Sequence, residues 1–391
     1  MPPDEHAHPA DDTRRALWLL LAALAAGAAL RGWLALTDAG IAWPDEIYQS
    51  LEPAHRLVWG RGWVALEFRE GLRTWVLPGL VAGLLEVARG LGLSRPALYV
   101  PAMKLVFAAV GVATAWATAR LARRMGAGPL ESAAAGALWA LAAPAIYFAP
   151  RGLSEPLSAL PVTLGLAWAL PGGASRRDRV LGASLLGLAV LLRLQNSLFC
   201  VALVGAWLAR RRWRETAEVV AVLLLFAFLL GLLDRLTWGG WFHSALAYWR
   251  YNWVQGRGVL FGASPASYYL RTLWTSMPFV AAVMVPAVLL GAVRAPALAA
   301  AVALFVVVHS AIPHKELRFI LPALPAAMAL AGVGLAVAAS RVDRRVPVGL
   351  ALLAAVVSGA RFHGLTFGDL GAYEGQRDTV SAYEDFAPIN R

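Results

Sequence analysis

Long apolar runs, separated by short arginine-rich loops, most constrain what this 391-residue chain can fold into. Hydrophobic residues make up 59% of the chain and charged residues only 15%, whereas soluble domains have about 45–50% and about 25%. A helix of about 20 apolar residues is long enough to cross a bilayer. The composition therefore predicts an all-α polytopic membrane protein, with residues 1–391 as one membrane domain and no soluble domain.

We predict eleven membrane-spanning segments from the apolar runs. They are residues 16–36, 101–122, 130–149, 155–170, 180–193, 197–209, 217–234, 273–293, 295–312, 319–340 and 346–360. Segments 180–193 and 197–209 are short for spanning helices, so we predict a bent pair that meets near Gln195 and Asn196. We interpret the first run as a retained helix, because it has no clear small-residue cleavage site.

The arginine clusters predict the orientation of these segments. Five clusters lie at residues 14–15, 120–124, 176–179, 210–214 and 341–345, and the positive-inside rule places all of them on the cytoplasmic side. All five clusters lie on the cytoplasmic side only if the apolar run 75–87 does not cross the membrane and is instead an interfacial helix on the outer face. The outer side then receives loops 37–100 and 235–271, the turn 313–319 and the tail 363–391.

This distribution also explains the net charge of +11 without a nucleic-acid partner. The single cysteine, Cys200, allows no internal disulfide. Short loops without disulfides or N-x-S/T glycosylation sites fit a bacterial inner membrane, with the functional residues facing outward.

The adjacent carboxylates Asp45 and Glu46 follow the first predicted span in a loop rich in aromatic residues. A solvated loop would also contain acidic residues. A carboxylate shielded from water near the bilayer, however, can act as a general base near neutral pH. We therefore treat both residues as catalytic candidates.

A second candidate is the turn "HKELRF", which contains His314, Lys315, Glu316 and Arg318. Lysine is rare here, with two among 35 lysines and arginines. The turn is basic although it is predicted to lie outside, which favours a lipid-phosphate site over an ordinary polar turn. Arg193 interrupts an apolar run, so it either faces a cavity or extends to the interface. Arg151 has the same two alternatives, with Glu155 as its candidate partner.

Motifs for other chemistry are missing from the sequence. There is no CxxC, HExxH, P-loop, GxGxxG with a following acidic residue, GxSxG or DxD-type motif, and the seven histidines are scattered. We therefore expect no cofactor and no metal. The aromatic-rich loop 235–271 suits either passive membrane anchoring or sugar binding. A lipid flippase or transporter stays an alternative, although its polar groups would be expected in the middle of several spans.

Three segments resemble one family, the family 22 glycosyltransferases. They are "PDEIYQSLEPAHRLVWGRGW" with the following "EFREGLRTWVLPG", then "YNWVQGRGVLFGASPASYYL", and "HKELRFILPALP". The family includes the GPI mannosyltransferases and the mannosyltransferases of N-glycan lipid precursors. Some positions depart from its pattern: Trp43 stands where histidine is usual, Leu66–Phe68 keeps only Glu67 of TWE, and Thr74 replaces serine.

The resemblance implies the C-type glycosyltransferase (GT-C) fold, with a first outer loop that carries interfacial helices. It also implies an inverting enzyme that moves a sugar, typically mannose, from a polyprenyl-phosphate lipid to a lipid or glycan acceptor. Asp45 would be the base, and Glu46 would either bind the acceptor or orient Asp45. A glycan ligase with a lipid pyrophosphate donor is the further alternative. The predicted phosphate-binding residues are His314, Lys315, Arg318 and Arg193, and the predicted substrate-binding residues are Glu52, His55, Glu67, Arg73, Tyr251 and Asn252.

Overall fold

The computed structural model describes residues 9–37 and 44–364, and every regular element within these ranges is a helix. Trp43 and the predicted outer tail beyond residue 364 lie outside the described residues. In chain order the α-helices are α1 Pro9–Thr37, α2 Pro44–Glu46, α3 Glu52–Trp59, α4 Leu66–Arg69, α5 Val76–Gly90, α6 Pro96–Arg124, α7 Pro129–Ala140, α8 Ala143–Phe148, α9 Ser154–Ala169, α10 Arg176–Leu192, α11 Ser197–Ala209, α12 Trp213–Trp238, α13 His243–Trp249, α14 Tyr268–Ser276, α15 Pro278–Arg294, α16 Pro296–Ala311, α17 Leu324–Ala339, α18 Arg345–Ala360 and α19 Phe362–Gly364.

Three of the described helices, α1, α6 and α12, are long and apolar enough to cross a membrane on their own. Five shorter apolar helical segments accompany them: Leu194–Ala209, Pro278–Arg294, Pro296–Ala311, Leu324–Ala339 and Arg345–Ala360. The all-helical membrane architecture expected from the sequence is therefore confirmed. The number of eleven crossings stays a prediction.

Several predicted spans are interrupted near prolines. The run 130–149 divides into α7 and α8 just before Pro144, and the run 273–293 divides at Met277, immediately before Pro278. A residue that precedes proline is disfavoured in the helical conformation. The prediction of single helices over these two runs was therefore wrong.

The bend predicted near Gln195 and Asn196 is confirmed. Helix α10 ends where Arg193 adopts an extended conformation (φ −155°, ψ 115°), and a 3₁₀ turn, Leu194–Asn196, leads into α11. Inside this break, the side-chain amide of Asn196 donates to the Ala189 carbonyl oxygen at 2.9 Å. The interruption turns Arg193 and Gln195 towards a cavity instead of keeping them on a helix face.

The interfacial helix predicted at residues 75–87 corresponds to the amphipathic helix α5. Its inner face buries Val81 and Leu85 in a cluster with Leu51 and Tyr99, while Val87 is exposed. The segment is thus an α-helix with one packed face. Its position at a membrane interface stays a prediction.

Ion pairs gather the arginine-rich segments at one end of the bundle. Arg344 pairs with Asp12 at 2.5 Å and with Glu131 at 2.6 Å, and Arg124 pairs with Asp178 at 3.0 Å. The contacts of Arg344 join the loop before α18 to the start of α1 and to the start of α7. The contact of Arg124 joins the end of α6 to the start of α10. Since α1 begins at this end and Asp45 follows its other end, the acidic loop lies away from the arginine clusters.

Helices α15 and α17 pack with their backbones in direct contact at two glycines. A methyl group added at Gly291 would lie 1.9 Å from the Leu330 carbonyl oxygen. One added at Gly334 would lie 1.8 Å from the Ala287 carbonyl oxygen. Small residues allow such close approach between membrane helices.

We therefore expect Gly334→Ala to destabilise the protein by about 1–3 kcal/mol, because the new methyl group would force the two helices apart. Thermal unfolding in detergent, followed by tryptophan fluorescence, measures the effect. Gly349→Ala in α18 is the matched control, since no atom lies within 4 Å of its added methyl group. Equal stability of both variants would contradict the predicted helix contact.

Candidate active site

A cavity of about 980 Å³ opens between the first loop, the break after α10, the segment that follows α12 and the turn after α16. Nine of the twelve residues predicted from the sequence to form the site line this cavity. They are Asp45, Glu67, Arg73, Arg193, Tyr251, Asn252, His314, Lys315 and Arg318. Residues far apart in the chain thus reach one site.

Arg318 is the centre of the charged cluster in this cavity. Its buried guanidinium contacts the Asp45 carboxylate, lies 2.6 Å from Glu316 and lies 3.4 Å from Glu155. Glu155 in turn pairs with Arg193 at 2.8 Å, and both side chains are almost completely buried. Two arginines and three carboxylates therefore share one network, in which every charge has an opposite charge beside it.

Glu316 keeps its negative charge in this network. Burial raises the pKa of its carboxyl group, but the hydrogen bonds from His314 and Arg318 outweigh burial, and the pKa falls from 4.5 to about 2. A carboxylate that is charged at all physiological pH values can hold the Arg318 guanidinium in place.

The adjacent carboxylates Asp45 and Glu46 face different surroundings. Helix α2, only three residues long, and the π-helical turn Ile47–Leu51 that follows it set their directions. Asp45 faces the cavity, and its side chain is 25% exposed. Glu46 is buried and lies 3.5 Å from the Arg151 guanidinium, which also stacks on Tyr147. Asp45 is thus the member of the pair that a substrate can reach.

Lys315 lines the cavity, but backbone carbonyl groups surround its ammonium. Its Nζ atom donates to Ser264 at 2.8 Å, to Ile312 at 2.5 Å and more weakly to Pro313 at 3.4 Å. The Ser264 amide also donates to the Pro313 carbonyl oxygen at 2.9 Å. An ammonium has three donors, and these three carbonyl groups use all of them. Lys315 therefore ties the segment before α14 to the end of α16 and presents positive charge at the cavity wall.

Two of the predicted substrate-binding residues, Glu52 and His55, lie outside the cavity lining. The Glu52 carboxylate accepts a hydrogen bond from the Trp63 amide at 2.6 Å. The His55 ring is 2.7 Å from the Arg61 carbonyl oxygen and stacks on Trp59. We interpret both residues as stabilising the fold of the first loop.

The remaining predicted residues, Glu67, Arg73, Tyr251 and Asn252, also line the cavity. Glu67 accepts a hydrogen bond from Gln49 at 3.1 Å, and the Arg73 guanidinium lies over the Tyr248 ring. Asn252 donates to the Tyr248 carbonyl oxygen at 3.0 Å. Amide, carboxylate and aromatic groups of this kind are suited to binding hydroxyl-rich molecules.

Sequence reasoning missed three residues of the site. Glu155 was considered only as a partner for Arg151, although its position at the start of an apolar run marks it as a functional candidate in the same way as Arg193. Gln195 lies at a helix break and donates to the Tyr248 hydroxyl at 2.6 Å. His309 is a buried histidine in α16 that lines the cavity and stacks on Phe305, and no sequence motif marks it.

No group of three or more histidine, cysteine, aspartate or glutamate side chains in residues 9–37 and 44–364 is arranged to hold a metal ion.

The arrangement of helices matches solved structures of one enzyme. ArnT from Cupriavidus metallidurans, bound to undecaprenyl phosphate, superposes with a TM-score of 0.65 at 17% identity, covering 95% of this chain and 69% of that chain. ArnT in the apo state superposes with a TM-score of 0.60. The fold is therefore the GT-C glycosyltransferase fold, as the sequence predicted.

The chain belongs to the Alg9-like mannosyltransferase family, whose model matches residues 22–373. It is 31% identical over 311 residues to GPI mannosyltransferase 3 of Yarrowia lipolytica, covering 76% of this chain and 59% of that protein. It is 26% identical over 308 residues to GPI alpha-1,2-mannosyltransferase 3 of Homo sapiens, covering 75% and 53%. The chain thus spans little more than half the length of these relatives.

We expect Glu155→Gln to destabilise the protein by about 3 kcal/mol or more, because it leaves Arg193 and Arg318 buried without their shared counter-charge. Thermal unfolding in detergent measures the loss. Glu86→Gln is the control, since Glu86 forms an exposed pair with Arg89 within α5 and its loss leaves stability unchanged. The double change Glu155→Gln with Arg193→Gln restores part of the loss. Equal effects of Glu155→Gln and Glu86→Gln would contradict this prediction.

Proposed function

We propose that this protein is an inverting glycosyltransferase that moves mannose from a polyprenyl-phosphate donor to a hydroxyl group of a lipid-linked glycan. The observation that carries the proposal is the contact between Asp45 and Arg318, which are 273 residues apart in the chain and meet in one cavity. This contact brings a carboxylate that would activate the acceptor next to a guanidinium that would bind the donor phosphate. The names of the relatives support mannose, and the ArnT complex supports a polyprenyl phosphate.

In the proposed reaction the acceptor hydroxyl oxygen attacks the anomeric carbon of the donor sugar. The bond from this carbon to the phosphate oxygen breaks, and the phosphate leaves with the electron pair. The hydroxyl proton passes to Asp45. One displacement inverts the anomeric centre and needs no covalent intermediate, so a single base is sufficient.

Asp45 is arranged to serve as this base. Its Oδ2 atom accepts from Arg318, whereas Oδ1 has no partner among the described residues. Arg318 therefore orients the carboxylate and leaves one oxygen for the acceptor hydroxyl group. Glu46, buried against Arg151, holds the backbone of the neighbouring residue and so positions Asp45.

The positive charges in the cavity would stabilise the leaving phosphate. Arg193, Lys315 and Arg318 all line it, and they are fixed by Glu155, by backbone carbonyl groups and by Glu316 respectively. Cations that are already in place stabilise developing charge without further reorganisation. The distribution of arginine supports an outward-facing site, since the arginine clusters lie at the other end of the bundle.

Purified protein in detergent, incubated with polyprenyl-phosphate mannose and octyl mannosides, tests this proposal. We expect transfer from the lipid donor and none from GDP-mannose, measured as product mass. Asp45→Asn should lower the rate by about 10²–10⁴-fold, because the base is lost while the fold is kept. Asp343→Asn, an exposed aspartate in the loop before α18, is the control. Transfer from GDP-mannose, or full activity of Asp45→Asn, would overturn the proposal.

Lys315 gives a separate prediction about the donor. If its charge stabilises the bound phosphate, Lys315→Ala raises the donor KM by roughly 10-fold or more and Lys315→Arg raises it less. Steady-state kinetics with varied donor concentration measures the change. Arg345→Ala is the control, since this exposed arginine starts α18, at the other end of the bundle. A lower unfolding temperature of Lys315→Ala with an unchanged donor KM would show that Lys315 has only a structural role.

A further inference from the structure

A second cavity of about 450 Å³ adjoins the proposed active site. It lies where the end of α4 meets α13 and the π-helical turn Arg250–Val254. Leu72 and Tyr251 line both cavities, so the two spaces are neighbours that share part of one wall. The second cavity is therefore near enough to contact a molecule that extends beyond the active site.

The walls of this second cavity are held together by contacts between the two loops. The Trp238 indole donates to the Arg73 carbonyl oxygen at 3.2 Å, and its ring stacks on His243. Gly71 adopts a left-handed conformation (φ +66°), and a methyl group added there would lie 2.3 Å from the His243 ring. The backbone at Gly71 thus packs directly against the His243 ring, which also lines the second cavity.

Three polar side chains that line the second cavity have no protein partner. Glu70, Arg250 and Gln255 are exposed, and none of them forms a side-chain hydrogen bond or ion pair among the described residues. One carboxylate and one guanidinium cancel in charge. Together the three groups offer both donors and acceptors beside the Tyr251 and Trp241 rings. Such a surface matches an uncharged molecule with many hydroxyl groups, not a phosphate.

We propose that the second cavity binds the sugar units of the acceptor glycan that precede the sugar being extended. This inference rests on the proposed function, since the acceptor hydroxyl group would lie at Asp45. Glu70 and Gln255 accept hydrogen bonds from sugar hydroxyl groups, and Arg250 donates to sugar oxygens. The second cavity thereby makes the enzyme prefer an acceptor of several sugars to a single sugar.

Transfer kinetics with acceptors of two lengths test this assignment. The probes are octyl α-mannoside and a linear octyl α-trimannoside, with polyprenyl-phosphate mannose as donor. We expect wild type to have the lower KM for the trimannoside. Gln255→Leu and Glu70→Gln should each raise the trimannoside KM about fivefold, the loss of roughly one hydrogen bond, without changing the monosaccharide or donor KM. Glu86→Gln on α5 is the matched control and should change none of these values.

A binding measurement separates failure of this inference from failure of the proposed reaction. Without donor, the trimannoside should raise the unfolding temperature of wild type and of Asp45→Asn, but not that of the double variant Glu70→Gln with Gln255→Leu. If wild type binds the trimannoside in this way but transfers no mannose, the reaction is wrong and the binding site stands. Equal stabilisation of wild type and the double variant, or none of wild type, overturns the inference. An equal KM increase for both acceptor lengths would also overturn it.

Discussion

The ion pairs of Glu155 are the interaction on which the rest of the site depends. A charge buried among apolar helices is costly unless an opposite charge lies beside it. Glu155 supplies that charge to Arg193, at the break after α10, and to Arg318, in the turn before α17. These elements come from distant parts of the chain, so one carboxylate at the start of α9 brings together cations that the sequence separates by 125 residues. Asp45 then reaches the same network from the first loop through Arg318.

Helix breaks allow this bundle to present polar side chains to the main cavity without exposing backbone groups to lipid. Irregular backbone at membrane depth is tolerated where it lines a cavity or is buried in protein. The breaks at Arg193 and after α16 both open onto the main cavity, and their backbone groups are paired locally, for example through Asn196 and Lys315. The interruptions therefore place charged side chains in the cavity and also satisfy the backbone around them.

The sequence predicted the all-helical membrane fold, the helix at 75–87 and the bend near Gln195. These features depend on the length of each apolar run and on the charged residues within or beside it, and both can be read from one stretch of the sequence. It also selected Asp45, Arg193 and Arg318, since charged residues next to apolar runs are rare and stand out. Which charged residues pair with one another was harder to predict. Glu155 pairs with Arg193 and Arg318 and not only with a neighbour in sequence, and Glu46 faces away from Asp45, because a three-residue helix and a π turn set its direction. Such pairings depend on packing between distant segments, which apolar periodicity does not encode.

The segment between Trp238 and Ser264 is attached to the rest of the protein at both of its ends. Trp238 holds one end to the first loop, and Lys315 with Pro313 holds the other to the end of α16. Parts of this segment line the main cavity and other parts line the second cavity, yet none of it supplies the arginines and the lysine of the charged cluster. Insertions or deletions within this segment would reshape both cavities and leave the charged cluster in register. Members of the family could thus differ in length and sequence here while retaining the same charged cluster.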